Sequence, residues 1–215
     1  MNDNNSILRS AASLATVAII GTALLTGVDR LTGERIAEQE KRVVLEQLGQ
    51  LVSPDRYDNE MLEDRVDIRD EAHFPRGQTV AVFRARKGGK PEALIMKLAA
   101  VGGYNGMIHL LVGINSDGSL SGVRVSSHKE TPGLGDAIEI EKSAWVMGFN
   151  GRSLQAPDLT CWAVKRDGGE YDQFTGATVT PRAVVEAVRR SLEYFQANKS
   201  TLFWAPSQNT SQEDQ

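Results

Sequence analysis

The sequence predicts an α+β fold, in which a single N-terminal apolar span is followed by one domain with a largely antiparallel sheet flanked by helices. Three observations lead there. Short β-patterned runs joined by glycine turns fill the middle of the 215-residue chain, helix-patterned segments stand at both ends, and neither a βαβ alternation nor an internal repeat is present. A chain of this length supports one main domain with accessories rather than two large cores.

From the N-terminus, residues 1–9 are read as a short cytoplasmic tail. Residues 10–28, SAASLATVAIIGTALLTGV, are 19 consecutive residues without a charge. As a helix they rise about 28 Å, close to the roughly 30 Å hydrocarbon core of a bilayer, and so predict one transmembrane helix. A cleaved signal peptide is the alternative, although the stretch is long and no clean A-x-A site follows it. Arg9 stands alone on the short side, whereas Arg30, Arg35, Lys41 and Arg42 follow the span among Asp29, Glu34, Glu38 and Glu40. Counting Lys and Arg alone, the charge rule favours keeping the following domain inside. Residues 29–54 place Ile36, Val43, Val44, Leu48, Leu51 and Val52 at near-helical spacing opposite a charged face, an amphipathic connecting helix that Pro54 ends.

The globular domain is expected over residues 55–204. Strands are predicted at 79–86, 92–101, 107–115, 120–128 and 159–166, with Gly88-Gly89 and Asp117-Gly118 marking hairpins. Residues 138–149 read as a short helix or an irregular packing segment. Residues 181–198 put Val184, Val188, Leu192 and Phe195 on one helical stripe, with Thr180 as the cap and Pro181 in the first helical position. Residues 205–215 are polar and read as a disordered tail.

Composition excludes several classes. A formal charge of −4 without a Lys/Arg block argues against a nucleic-acid partner. The single cysteine, Cys161 in LTCWAV, has no disulfide partner or CxxC context and reads as a buried strand residue. His73, His109 and His128 are scattered, with His109 read as structural in an apolar strand, and no metal site is expected. There is no GxxxxGK[ST], GLGDAI lacks the third glycine of a dinucleotide fingerprint, and no nucleophile elbow occurs. Catalysis by the chain's own side chains is therefore not expected.

Two stretches are denser in special residues than a core requires. One is GGYNGMI (102–108) with SSHKETPGLGD (126–136), and the other is DQFTGATVT (172–180). Thr178 stands just ahead of a predicted helix start, where unpaired N–H groups and the positive end of the dipole favour a phosphate. Gly176 and Ala177 keep the approach open. The alternative is that Thr175, Thr178 and Thr180 satisfy only strand and cap hydrogen bonds.

DQFTGATVT resembles the Dxx(S/T)GAT(x)T flavinylation motif of the FMN-binding domain family. HKETPGLGD resembles that family's second signature, in the right order and separation. The likeness runs over nearly the whole chain and is greatest to the Rnf/Rsx type, which serves ion-translocating ferredoxin:NAD+ oxidoreductase complexes. The C subunits of sodium-pumping NADH:quinone oxidoreductases share the motif in a usually longer chain.

The resemblance implies FMN joined covalently by a phosphoester to Thr178. Asp172, Thr175, Gly176 and Ala177 match the element read by a separate flavin transferase that uses FAD and Mg2+, with Thr180 completing the motif. The resemblance further implies that Glu130, Thr131, Gly133, Leu134 and Gly135 form a loop against the isoalloxazine ring. In that loop Pro132 and the glycines bring backbone amides to the ring's polar edge, Leu134 lies on its face, and Tyr104, Trp145 and Phe149 are candidate walls. It also implies a single-pass protein of the bacterial inner membrane whose flavin domain lies in the periplasm, against the charge count. Its role there is to relay electrons among the membrane and peripheral subunits of an Rnf-type complex that moves Na+ or H+, without independent catalysis. The C subunit of a sodium-pumping NADH:quinone oxidoreductase or a flavin-bearing regulator is the nearer alternative reading, and a non-redox anchored extracytoplasmic binding protein the more distant one.

Overall fold

Alternation of apolar residues at period two builds the centre of the domain, because every second side chain of a strand faces the same side. Five strands form an antiparallel sheet in the order β1-β2-β3-β4-β5: β1 Arg65–Ile68, β2 Val80–Lys87, β3 Lys90–Gly103, β4 Gly106–Asn115 and β5 Leu120–Ser127. The computed structural model describes residues 14–22, 24, 26, 39, 42–156 and 158–207. The predicted tail 1–9, much of the predicted span 10–28 and connecting helix 29–54, and residues 208–215 lie outside them. Residues 14–22 are helical, and among the described residues no helix is long and apolar enough to cross a membrane.

A compact unit begins at Gln47 and so takes in residues 47–54, which the sequence assigned to the connecting helix. On one face of its sheet, Val82, Leu94, Met96, Leu98, Leu110, Val112 and Val123 pack with Val184, Val188, Leu192 and Phe195 of the C-terminal helix, Val179–Trp204. The opposite face is approached by Leu51. A Cβ on Gly113 would come 3.2 Å from Leu51 Cβ, and one on Gly122 3.0 Å from Leu51 Cδ2, so paired glycines admit this segment onto the sheet.

Four predicted strands are present with ends shifted by a few residues, and β1 was not foreseen. The strand expected at 159–166 is absent. Its residues form 3-10 turns at Leu159–Cys161 and Lys165–Asp167, linked to Tyr171 only by an isolated bridge from Val164. The chain doubles back here: Tyr171 N–H donates to Ala163 O at 3.2 Å, and a Cβ on Gly169 would come 2.0 Å from that oxygen. No extended ladder survives such a reversal, and Cys161 is half-buried rather than buried in a strand. His109 likewise lies exposed on the sheet, not within the core.

The C-terminal helix begins two residues before the predicted start and bends at Asn198. Its C-terminal carbonyls are held by a buried cation. Arg84, 2% exposed, donates to Leu202 O at 3.3 Å and Ala205 O at 2.5 Å while pairing with Asp64. Arg86 also binds Asp64, at 2.6 Å, and donates to Phe203 O. Cations at a helix C-terminus are stabilised by the dipole and satisfy carbonyls the helix leaves open. Arg84→Ala is expected to destabilise the purified chain by about 1–3 kcal/mol, because the carbonyls of Leu202 and Ala205 lose their donor while Arg86 still holds Asp64. Arg76→Ala, at a 91% exposed side chain paired only with Glu71, changes it by about 0–1 kcal/mol. Urea denaturation of the two variants checks the difference.

Candidate functional site

Three segments distant in sequence meet at one end of the sheet. The first is the tip of the β3–β4 hairpin, where Tyr104 and Asn105 make a two-residue turn between Gly103 and Gly106. The second is the loop after β5, and the third is the Phe174–Ala177 turn leading into the C-terminal helix. Ala177 N–H donates to Phe174 O at 3.1 Å across that turn, and Gly176 takes the positive φ of 80° that it requires. Together they enclose a shallow pocket of about 280 Å3 lined by Tyr104, Glu130, Thr131, Leu134, Gly135, Gly176 and Ala177.

Glu130 joins the three segments. Its buried carboxylate accepts the N–H groups of Tyr104 at 3.2 Å and Asn105 at 3.1 Å, and the Thr180 hydroxyl donates to Oε2. Gly135 is required by this packing, since a Cβ there would lie 2.8 Å from Glu130 Cβ and 3.1 Å from Thr180 Oγ1. The loop's entry is fixed by His128, whose Nδ1 accepts the Glu130 N–H at 3.0 Å and whose Nε2 pairs with Glu139 at 2.6 Å. With Nδ1 accepting, Nε2 carries the proton.

Thr178 is the N-cap of the helix. It follows the pocket-lining Ala177 directly, is half-buried, and makes no side-chain capping bond; no acidic residue occupies the first turn. The expected cap, Thr180, is instead fully buried inside the first turn, because Glu130 takes its hydroxyl, and Pro181 is displaced from the first helical position. The hydroxyl at the helix mouth is therefore uncommitted to capping.

The other expected residues divide. Gly133 adopts a φ of 77°, and its N–H goes to Asp136 Oδ1 at 2.8 Å, while Leu134 and Gly135 N–H both go to Thr131 O, at 3.1 and 3.0 Å. These amides are consumed within the loop, which corrects the expectation that they point at a ring edge. Leu134 does face the pocket, 44% exposed, and its Cδ2 would lie 3.5 Å from a Cβ on Gly176. Asp172 and Thr175 are exposed and lie outside the pocket, with Asp172 paired to Lys165 at 2.5 Å. Phe149 is core rather than wall, stacked on Tyr171 at 4.6 Å. Trp145 stands behind the motif, 5.2 Å from the Phe174 ring, with Nε1 donating to Asp172 O at 2.8 Å.

The sequence did not foresee these braces, nor Arg182, which holds Asp167 through two bonds of 2.6 and 2.9 Å. The guanidinium's hydrogen bonds keep the Asp167 carboxyl below its usual range. A helical residue four after the motif threonine, spaced to reach back over the entering loop, was the available signal. Among the described residues no group of His, Cys, Asp and Glu is placed to hold a metal.

Gly135→Ala is expected to lower unfolding stability by about 1–3 kcal/mol through overpacking against Glu130. Gly148→Ala, where an added Cβ meets nothing within 4 Å, changes it by less than about 0.5 kcal/mol. Thermal or urea unfolding of the pair distinguishes the two.

Residues 103–193, which contain all three segments, match the family model of the FMN-binding domain, and residues 1–51 match that of the RnfG N-terminal region. The chain is 44% identical to the G subunit of an ion-translocating oxidoreductase complex of Shewanella loihica, over 94% of its own length and 95% of the relative's. It is 46% identical to the protein of that name from Pseudomonas aeruginosa, covering 92% of each chain. A Vibrio cholerae protein of the same name is 39% identical, over 94% of this chain and 96% of its own. With likeness on this scale over nearly its full length, the chain belongs to the G-subunit family of ion-translocating oxidoreductase complexes, and it contains that family's FMN-binding domain.

Proposed function

We infer that this protein is the electron-relay subunit of an Rnf-type complex and holds FMN by a phosphoester on Thr178. The observation that carries the reading is the position of Thr178, the N-cap of a 26-residue helix with no side-chain capping bond, directly beside the pocket. Two features favour a phosphate on that oxygen. The first-turn N–H groups of Val179 and Thr180 and the helix dipole attract an anion, and the first turn itself contributes no acidic residue, the nearby Glu130 carboxylate being held by the Thr180 hydroxyl. Gly176 and Ala177 present backbone and a single methyl on the approach.

The pocket also fits the rest of the group. Tyr104 and Leu134 offer apolar surface to a flat ring, and Glu130, Thr131 and Asn105 fix the backbone beneath it. At about 280 Å3 the pocket is just below the usual range for a small-molecule site, about 300–1,000 Å3, so its walls cover only part of a flavin. A covalent bond compensates for that limited contact. FMN, when bound, supplies the electron chemistry, and the chain supplies attachment and orientation.

Exposure of Asp172, Thr175 and Gly176 supports maturation by a separate flavin transferase acting with FAD and Mg2+. A threonine hydroxyl is a weak nucleophile without a base, and among the described residues no hydrogen bond is seen joining the Thr178 hydroxyl to one. Anchoring by residues 10–28 in the inner membrane, with the domain in the periplasm and the other Rnf-type subunits as partners, is supported by the uncharged stretch and the match of residues 1–51. Electron flow between ferredoxin and NAD would there be coupled to Na+ or H+ movement.

Co-expression with a flavin transferase, followed by a denaturing gel viewed for flavin fluorescence, tests the attachment. Wild type is expected to give a fluorescent band, Thr175→Ala, which alters the recognised element but not the attachment oxygen, a weaker one, and Thr178→Ala none. A band that persists in Thr178→Ala moves the bond elsewhere.

A further inference from the structure

One carboxylate lines the pocket, and among the described residues no cation pairs with it. Glu130 is 5% exposed, and its three partners, the Tyr104 and Asn105 N–H groups and the Thr180 hydroxyl, are all neutral donors. The two N–H groups can only donate and the hydroxyl is free to donate as well, which is the set an acceptor-only carboxylate requires. The charged groups around it are committed elsewhere or face solvent. His128 serves Glu139 and the Glu130 backbone, Asp136 takes the Gly133 N–H and lies 4.0 Å from Lys142, and Lys129 and the Tyr104 side chain are exposed. The carboxylate cannot swing away. A Cβ on Gly103 would sit 2.9 Å from Oε1 and one on Gly135 2.9 Å from Oε2, so two backbone segments press on it and admit no larger residue.

Such a charge beside a redox group acts on its reduction. Taking the attachment of FMN to Thr178 as given, we propose that the Glu130 carboxylate sets the redox behaviour of this site. It opposes any gain of net negative charge by the ring held in the pocket, and so ties each electron taken up to a proton and, at alkaline pH where the second proton is scarce, lowers the ring's potential. Two electrons from a donor centre of the complex add a charge of −2 to the oxidised ring. Two protons from water return it to neutral, and one leaves it at −1. A fixed carboxylate at the wall raises the energy of the singly negative product relative to the neutral one. The pocket opens to solvent at Leu134, so both protons have a source. A unit charge acting across a few ångströms of part-solvated protein changes such an equilibrium roughly ten- to a hundredfold.

The test uses the full-length, flavin-loaded protein in membranes, after the denaturing gel has shown a covalent flavin. A wild type with no band overturns the attachment and this proposal together, before any titration is made. Spectroelectrochemical titration from neutral to alkaline pH is then compared for wild type, Glu130→Gln, Thr180→Val and free FMN. At a fixed ambient potential and at alkaline pH, where the singly negative product can form, Glu130→Gln is expected to raise the reduced-to-oxidised ratio by about ten- to a hundredfold, each tenfold being about 30 mV for a two-electron couple. Thr180→Val, which loosens the clamp but keeps the charge, shifts the ratio by less than about threefold on the same scale. Wild type keeps one proton per electron to a higher pH than free FMN does. An unchanged ratio in Glu130→Gln overturns the proposal, as does a shift in Thr180→Val equal to that of Glu130→Gln. Should Glu130→Gln fail to load, the wild type decides alone: a slope that drops to one proton per two electrons at the same pH as free FMN overturns it.

Discussion

A buried carboxylate with three donors is the constraint on which the site's shape depends. Glu130 takes one N–H from each of Tyr104 and Asn105 at the hairpin tip and a hydroxyl from the first turn of the C-terminal helix, while itself belonging to the loop after β5. Hydrogen bonds to an ionised group are stronger than neutral ones, and leaving a buried charge short of donors is expensive, so the three segments are held to one arrangement. The pocket is what remains between them. Thr180 is the telling member, because a threonine facing inward two positions after Thr178 turns the helix so that the Thr178 hydroxyl stays at its mouth, out of any cap.

The two ends of that helix are fixed by opposite chemistry. At its start a carboxylate takes the Thr180 hydroxyl. At its end Arg84 and Arg86, both bound to Asp64, cover the carbonyls of Leu202, Phe203 and Ala205. Between them Val184, Val188, Leu192 and Phe195 are buried against the sheet. A residue carried on an element held in this way has few ways to move, which suits a group that must present its cofactor in a repeatable position.

Much of this was legible in the sequence where local rules decide. The four long strands follow from period-two alternation and glycine turns, the C-terminal helix from its apolar stripe, and the pocket residues from two short motifs. What was not legible depends on long-range partners. Thr180 has cap chemistry by composition, and only Glu130, fifty residues away, turns it inward. LTCWAV has strand composition, yet Gly168 and Gly169 let the chain reverse tightly enough that its apolar residues join an aromatic cluster instead of a ladder. The loop amides after Pro132 were expected from the family resemblance to face a ring edge, and Thr131 O and Asp136 Oδ1 consume them. Arg84 reads as a misplaced charge on a buried strand until the helix end it serves is in view.

The shallowness of the pocket and the placement of its attachment residue are two sides of one arrangement. A deep pocket would bind a flavin tightly through contact alone, but would also bury the ring away from neighbouring redox centres. Here Tyr104 at 73% and Leu134 at 44% exposure flank an open mouth, and the residue proposed to carry the cofactor stands on a rigid helix end rather than in a loop. On the proposed attachment, retention would fall to a covalent bond, orientation to the Glu130 clamp, and access to the open side. A carrier that must receive and pass on electrons without losing its cofactor needs these three properties together, and separating retention from burial is how this fold can supply all of them.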